Sequence, residues 1–132
     1  MSMGEFLHKV RHSIPAKAAH KRGVMNGYER DYASVLRGRL ACGEIAGFWF
    51  EAVQLNLAPL LRCTYTPDFM VQTNEGIIEF HEVKGHWEED ARVKIKVAAD
   101  KFPFRFVAVT KPTKSKPWQY ELFEAVDKEG GQ

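Results

Sequence analysis

Two carboxylates and a lysine stand on two apolar segments that look like neighbouring strands. Asp68 lies in the segment TPDFMV, and Glu82 and Lys84 lie in the segment HEVKG. Two such acids can bind a divalent cation, and oxygen ligands favour Mg²⁺ or Mn²⁺ over zinc. The cation can hold a phosphate oxygen and lower the pKa of a water, while a nearby lysine can orient that water or neutralise developing charge. These residue types indicate hydrolysis of a phosphodiester bond.

The short turn between the two segments decides whether these side chains meet. Its residues, NEG, suit a three-residue hairpin loop, a type I turn closed by a glycine in the left-handed conformation. With this loop Asp68 falls directly opposite Glu82, and facing residues have Cβ atoms about 4.5–5.5 Å apart. Lys84 is two residues beyond Glu82 and shares its face. A slip of one residue would put the carboxylates on opposite faces.

Two facing carboxylates carry an energetic cost. At an effective dielectric near 20 and about 5 Å, their repulsion is roughly 3 kcal/mol. A raised pKa on one acid, the ammonium of Lys84 or a divalent cation would relieve it. Taken alone, Asp68 after a proline could simply begin a strand or an Asx-turn, and Glu82 with Lys84 could be the exposed edge of a strand. Their joint context favours a site.

The elements that must position these residues follow from periodicity and capping. Asn26 and Glu29 fit a capping box at the start of a first helix. The apolar stripe of this helix is predicted at Tyr28, Tyr32, Val35, Leu36 and Leu40. Three strands follow, within IAGFWFEAVQLNLA, LRCTYTPDFMVQT and IIEFHEVKG, then a helix in WEEDARVKIKVAADKF and a strand in FRFVAVT. WQYELFEAV favours an edge strand, with a helix as the alternative. The prediction is an α/β fold.

The motifs resemble a known superfamily. Pro67-Asp68 and Glu82-Val83-Lys84 match the PD-(D/E)XK nuclease signature, and the order of elements is similar to that superfamily's core. YTPDF and HEVKGHW look more narrowly like small phage- and prophage-encoded members and compact Holliday-junction resolvases. The resemblance covers roughly residues 26 to 110. It implies a restriction-endonuclease-like core: helix, three-stranded antiparallel meander, helix and strand, with a mixed central sheet flanked by helices.

The resemblance also implies roles for particular residues. Asp68 and Glu82 would be metal ligands, with the carbonyl of Val83 as a third, and Lys84 would be the catalytic lysine. The metal would be Mg²⁺, for which Mn²⁺ can substitute. Members often carry a glutamate on the first helix that faces the same site, and Glu29 is the matching position. The capping box explains Glu29 equally well.

The resemblance further implies an enzyme that acts on DNA. The expected activity is a divalent-metal-dependent endodeoxyribonuclease in phage-type DNA processing. A structure-specific resolvase that cuts branched DNA or a Holliday junction as a homodimer is one candidate within that class. The alternative is a non-catalytic DNA-binding or assembly module that retains the nuclease fold. Intact Asp68, Glu82 and Lys84 argue against this alternative.

Positive charge is uneven along the chain, although the net charge is only +2. Residues 1–25 form a basic arm, residues 26–126 the nuclease-like domain and residues 127–132 a flexible tail. DNA contact is predicted for Lys9, Arg11, Lys17, Lys21 and Arg22 of the arm, and for His86 and Lys94. A second basic cluster, KPTKSKP, indicates an exposed loop. A solvated tail and a solvated loop are the alternatives.

Composition excludes other classes. The chain lacks an apolar run of about 18 residues, so no membrane span is expected. The N-terminus lacks the apolar core of a signal peptide. Cys42 and Cys63 form no CxxC pair and are expected to be free thiols in a reducing compartment. A cytoplasmic location is therefore expected, in a bacterial host if the protein is phage-encoded.

Overall fold

The computed structural model describes residues 2–3 and 23–124, and these form an α/β fold. A mixed five-stranded sheet has the order β1-β4-β5-β6-β7, and β2 and β3 form a separate two-stranded sheet. The elements are helices α1 (Gly27–Ala41) and α2 (Glu89–Lys101), and strands β1 (Ile45–Phe50), β2 (Leu55–Ala58), β3 (Cys63–Tyr65), β4 (Phe69–Thr73), β5 (Ile78–Lys84), β6 (Arg105–Thr110) and β7 (Gln119–Phe123). The predicted α/β class and mixed sheet are confirmed.

The two helices cover opposite faces of the large sheet. Side chains alternate between faces along a strand, and on β5 Phe80 packs with Ile95 of α2, whereas Val83 packs with Tyr32 and Leu36 of α1. Each face therefore has its own buried cluster. In the part of the chain that the structure describes, no helix has the length and apolarity to cross a membrane.

Helix α1 begins at the predicted cap. The Asn26 side chain accepts a hydrogen bond from the Glu29 N–H at 2.9 Å, and the Glu29 carboxylate accepts one from the Asn26 N–H at 3.2 Å. The predicted apolar stripe is wrong at both of its ends, because Tyr28 and Leu40 are 47% and 41% exposed. The buried face instead includes Ala33, whose small side chain lets the helix approach the sheet closely.

The β4–β5 hairpin has the predicted register. The Thr73 N–H donates to the Ile77 carbonyl at 2.9 Å, and Gly76 has the left-handed φ of +84° that closes the loop. Phe69 pairs with His81, so the next facing pair outwards is Asp68 with Glu82. The hairpin thus carries the two acids on one face, as the spacing predicts.

The first two predicted strands are wrong as continuous elements. Each is two strands that belong to different sheets, β1 and β2 in one case and β3 and β4 in the other. Glu51, with a left-handed φ of +46°, ends β1, and its N–H donates to the Asp68 carbonyl at 2.8 Å. Pro67, which has no N–H, lies in the break before β4. An unbroken strand would also exceed the usual length of about 3–10 residues.

Strand β6 follows α2 and lies parallel to β5, so both strands end at the same edge of the sheet. Thr110 pairs with Lys84 at this edge. Strand β7 pairs antiparallel with β6 at the rim of the sheet, which confirms the predicted edge strand and shows the helical alternative to be wrong. The two cysteines are free, with Cys42 exposed and Cys63 buried.

The hairpin register can be tested by substituting one glycine. Gly76→Ala should lower the free energy of unfolding by about 1–2 kcal/mol, because an alanine is strained at left-handed φ although space around Gly76 is open. Gly38→Ala, within α1 and equally open, should raise it by about 0.5–1 kcal/mol. Urea denaturation followed by circular dichroism measures both. Equal effects for the two variants would contradict the assigned turn.

Candidate functional site

The carboxylates of Asp68 and Glu82 face each other at the open end of the hairpin, where each affects the pKa of the other. Burial raises the pKa of the Asp68 carboxyl well above its usual range, and the charge of Glu82 raises it further. Burial also raises the pKa of Glu82, against the opposing effect of Lys84. Without a cation, the pair therefore holds a proton at a pH where two ordinary carboxyls would both be ionised.

The backbone of Val83 orients Asp68. The Val83 N–H donates to Asp68 Oδ2 at 2.8 Å. The hairpin register places Pro67 opposite Val83, and in an antiparallel pair the N–H and carbonyl of one residue point to the same neighbouring strand. Pro67 has no N–H to donate to the Val83 carbonyl. Pro67 therefore leaves the Val83 carbonyl without the N–H donor that an uninterrupted strand would place opposite it.

Both carboxylate oxygens of Glu82 have a partner. The Tyr65 hydroxyl donates to Glu82 Oε2 at 2.5 Å, and Lys84 Nζ lies 3.9 Å from Glu82 Oε1. Tyr65 is buried, and burial together with the charge of Glu82 raises the pKa of its phenol well above the usual range. Tyr65 therefore remains a hydrogen-bond donor, whereas the Lys84 side chain is 31% exposed and can meet a substrate.

Tyr65 is a site residue that the sequence analysis missed. On one continuous strand, residues 65 and 68 would point to opposite faces, because they are separated by an odd number of positions. The strand is interrupted at Thr66 and Pro67, and this interruption lets Tyr65 reach the face that carries Glu82. The available signal was the proline, which disfavours an uninterrupted strand.

The oxygen atoms at this site are ligands that suit a hard divalent cation. Asp68 and Glu82 supply two carboxylates, and the Val83 carbonyl stays the predicted third ligand. Among residues 2–3 and 23–124 no cluster of three or more histidine, cysteine or acidic side chains is present. Mg²⁺ does not require one, because it commonly binds through one or two carboxylates and keeps several waters.

Glu29 occupies the start of α1 and is 1% exposed. Its described hydrogen bonds are those of the capping box with Asn26. The adjacent Tyr28 lies against Gly85, directly after Lys84, so the start of the helix contacts the strand end that carries the site. A catalytic role for Glu29 stays a prediction.

The predicted DNA-binding residues lie in different places. His86 is exposed in the connection between β5 and α2. Lys94 donates from α2 to the Thr64 carbonyl at 3.1 Å and so holds the strand that carries Tyr65. A DNA contact by either residue stays a prediction. The basic residues of the arm lie outside the described residues: Lys9, Arg11, Lys17, Lys21 and Arg22.

A second polar network lies on the other face of β5. The Tyr32 hydroxyl is 2.6 Å from His81 Nδ1, and His81 Nε2 is 3.1 Å from Glu79 Oε1. The hydrogen bond from His81, aided by Arg105, lowers the pKa of Glu79. His81 therefore lies on the other face of β5 from Glu82 and links α1 to the sheet.

An open cavity of about 470 Å³ adjoins the site on the side of β1. Gly23, Glu51, Gln54 and Thr66 are among its lining residues. Glu51 also contacts the backbone of Asp68, through the hydrogen bond described above. The cavity therefore lies next to the backbone of Asp68.

Comparison with known proteins gives no match for this chain, either among protein-family models or among curated proteins. The resemblance to PD-(D/E)XK nucleases therefore depends on the two motif halves. The hairpin places Asp68 opposite Glu82, and Glu82 contacts Tyr65 and Lys84. These features are the basis for a functional interpretation.

The raised pKa of the acid pair predicts a stabilising substitution. The pKa of the Asp68 carboxyl is higher in the folded state than in the unfolded chain. The contribution of this carboxyl to the free energy of unfolding is therefore complete below the ordinary carboxyl pKa and is lost as the pH rises through the raised value. Asp68→Asn should therefore raise the free energy of unfolding of the metal-free protein by roughly 1–2 kcal/mol at pH 8, with no gain near pH 3. Thermal unfolding in EDTA at several pH values measures this difference.

Glu75→Gln is the matched control for Asp68→Asn. Glu75 lies exposed in the loop of the same hairpin, so losing its charge should change stability little at any pH. A loss of stability in Asp68→Asn at pH 8 would contradict the assigned acid pair.

Tyr65 should control how well the pair binds metal. Its hydrogen bond lowers the pKa of Glu82, so Tyr65→Phe should leave Glu82 protonated to higher pH. Affinity for Mn²⁺ at pH 7 should fall about 10- to 100-fold, and the deficit should shrink as pH rises. Isothermal titration calorimetry measures it, and Tyr120→Phe, an exposed tyrosine on β7, is the control. An unchanged Mn²⁺ affinity would remove Tyr65 from the site.

Proposed function

We propose that this protein is a divalent-metal-dependent endodeoxyribonuclease that hydrolyses phosphodiester bonds. The observation that carries the proposal is the facing pair of Asp68 and Glu82 at the end of the hairpin, with Lys84 Nζ 3.9 Å from Glu82 Oε1. Buried like charges are costly unless something neutralises them, and a cation bound by both acids would do so. The lysine then stands where a phosphate would be bound.

Each residue has a distinct task in this proposal. Asp68, Glu82 and the Val83 carbonyl hold Mg²⁺ or Mn²⁺, which when bound neutralises phosphate charge and lowers the pKa of a water. The Val83 N–H fixes the rotamer of Asp68, and the Tyr65 hydroxyl fixes that of Glu82. Lys84 reaches solvent and can orient the attacking water or neutralise charge on the phosphate in the transition state.

DNA is the substrate that the charge distribution supports best. The basic arm and the lysine-rich β6–β7 connection are suited to a polyanion, and the proposed location is the cytoplasm, where DNA is found. Branched DNA, cut by a homodimer, is the finer proposal, and it rests on the resemblance to compact resolvases.

Cleavage of a supercoiled plasmid and a synthetic four-way junction tests the function. Wild-type protein should cut in Mg²⁺ or Mn²⁺ and not in EDTA, with faster cutting of the junction. Lys84→Met should lower the rate about 10²- to 10³-fold, the cost of losing one group that stabilises transition-state charge. Its Mn²⁺ affinity should change less than that of Tyr65→Phe, because losing Lys84 raises the pKa of Glu82 but also removes a positive charge that repels the cation.

Lys96→Met is a close control for Lys84→Met. Lys96 also lies 3.9 Å from a carboxylate, that of Glu89, but on the exposed face of α2. It should cut at the wild-type rate. DNA binding by wild type without cleavage in any divalent salt would instead favour the non-catalytic module.

A further inference from the structure

We propose that the connection between β6 and β7, residues 111–118, binds the sugar-phosphate backbone of DNA beside the candidate site. The inference rests on the proposed function and adds to it the surface that would hold the substrate on the side of β6. Three features carry it: unbalanced positive charge, a stiffened loop and a position next to Lys84.

The first feature is the positive charge of the loop, which no acidic side chain within the loop neutralises. The loop carries Lys111, Lys114 and Lys116 and has no acidic residue. Within residues 23–124, none of these lysines forms an ion pair. Neighbouring surfaces differ, since Arg92 pairs with Glu121 at 2.6 Å and Lys96 with Glu89 at 3.9 Å. Several like charges on one short loop repel each other, and a row of phosphates relieves that repulsion.

The second feature is the stiffness of the loop. Pro112 and Pro117 restrict its backbone at both ends. Between them the Lys116 N–H donates to the Thr113 carbonyl at 3.3 Å, which closes a turn. A loop that is already ordered loses less conformational entropy when it binds a ligand.

Two side-chain contacts support the same conformation. The hydroxyl oxygens of Thr113 and Ser115 are 3.2 Å apart. Lys111 Nζ lies 5.1 Å from the centre of the Trp118 ring, which holds one ammonium at the base of the loop. Lys114 and Lys116 remain exposed at its tip.

The third feature is position. The Lys111 N–H donates to the Lys84 carbonyl at 3.3 Å, so the loop starts beside the strand end that carries the candidate catalytic lysine. Parallel strands lie about 4.8 Å apart, and β5 and β6 end at the same edge. A DNA strand whose phosphate lies at Asp68, Glu82 and Lys84 therefore passes this loop when it continues across β6.

The test is the salt dependence of DNA binding by the 132-residue chain. A fluorescently labelled duplex is titrated in EDTA over about 50 to 200 mM KCl, and each phosphate contact contributes about 0.9 to the slope of log affinity against log salt. Lys114→Gln/Lys116→Gln should reduce the steepness of that slope by about 1.8. It should also weaken binding at the lowest salt concentration.

Lys96→Gln/Arg37→Gln is the charge-matched control. It also removes two positive charges, but from the exposed faces of the two helices, so the slope should stay at the wild-type value. An unchanged slope in the loop variant, an equal loss in the control, or no DNA binding by wild type would each overturn the inference.

A parallel cleavage assay in Mn²⁺ separates this inference from the proposed function. Cutting by wild type together with an unchanged slope in the loop variant rejects the loop and leaves the nuclease standing. Absence of cutting with a reduced slope rejects the nuclease and retains the loop as a DNA-binding surface.

Discussion

The facing arrangement of the Asp68 and Glu82 carboxylates depends on the register of one hairpin. A left-handed glycine closes the loop, and the pairing that it sets places both acids on the face that carries Phe80. A shift of one residue would send one acid to the other face, where α1 and the Tyr32–His81–Glu79 network lie. The chemistry of the site is therefore a consequence of turn geometry several residues away.

The large sheet keeps two kinds of polar group apart. On the face of α1, Tyr32, His81 and Glu79 satisfy one another in a closed network that holds helix to sheet. On the face of α2, burial raises the pKa values of Asp68 and Glu82, while Glu82 also contacts Tyr65 and the partly exposed Lys84. Strand β5 carries both sets on alternate residues, so one strand supplies structural and functional groups without mixing them.

Much of this arrangement could be predicted from local pattern. The capping box of α1 and the hairpin register follow from short-range signals such as Asn26 and Gly76, and the apolar run of β6 indicates a strand. The division into β1 and β2 could not be predicted, because the break at Glu51 leaves no local pattern, whereas Pro67 was a local signal for the division into β3 and β4. Without this interruption Tyr65 is not expected at the site, since on one continuous strand it would point to the face opposite Asp68.

The small β2–β3 sheet is fastened to α2 by two lysines that donate to backbone carbonyls. Lys94 bonds Thr64 and Lys101 bonds Leu57, each at 3.1 Å. Because Tyr65 follows Thr64 directly, the bond from Lys94 also holds the strand from which the Tyr65 hydroxyl reaches Glu82. A chain without these two bonds would keep both acids, yet the strand that orients Glu82 would be held less firmly. The helix that covers one face of the large sheet thus also helps to fix the side chains at the end of the hairpin.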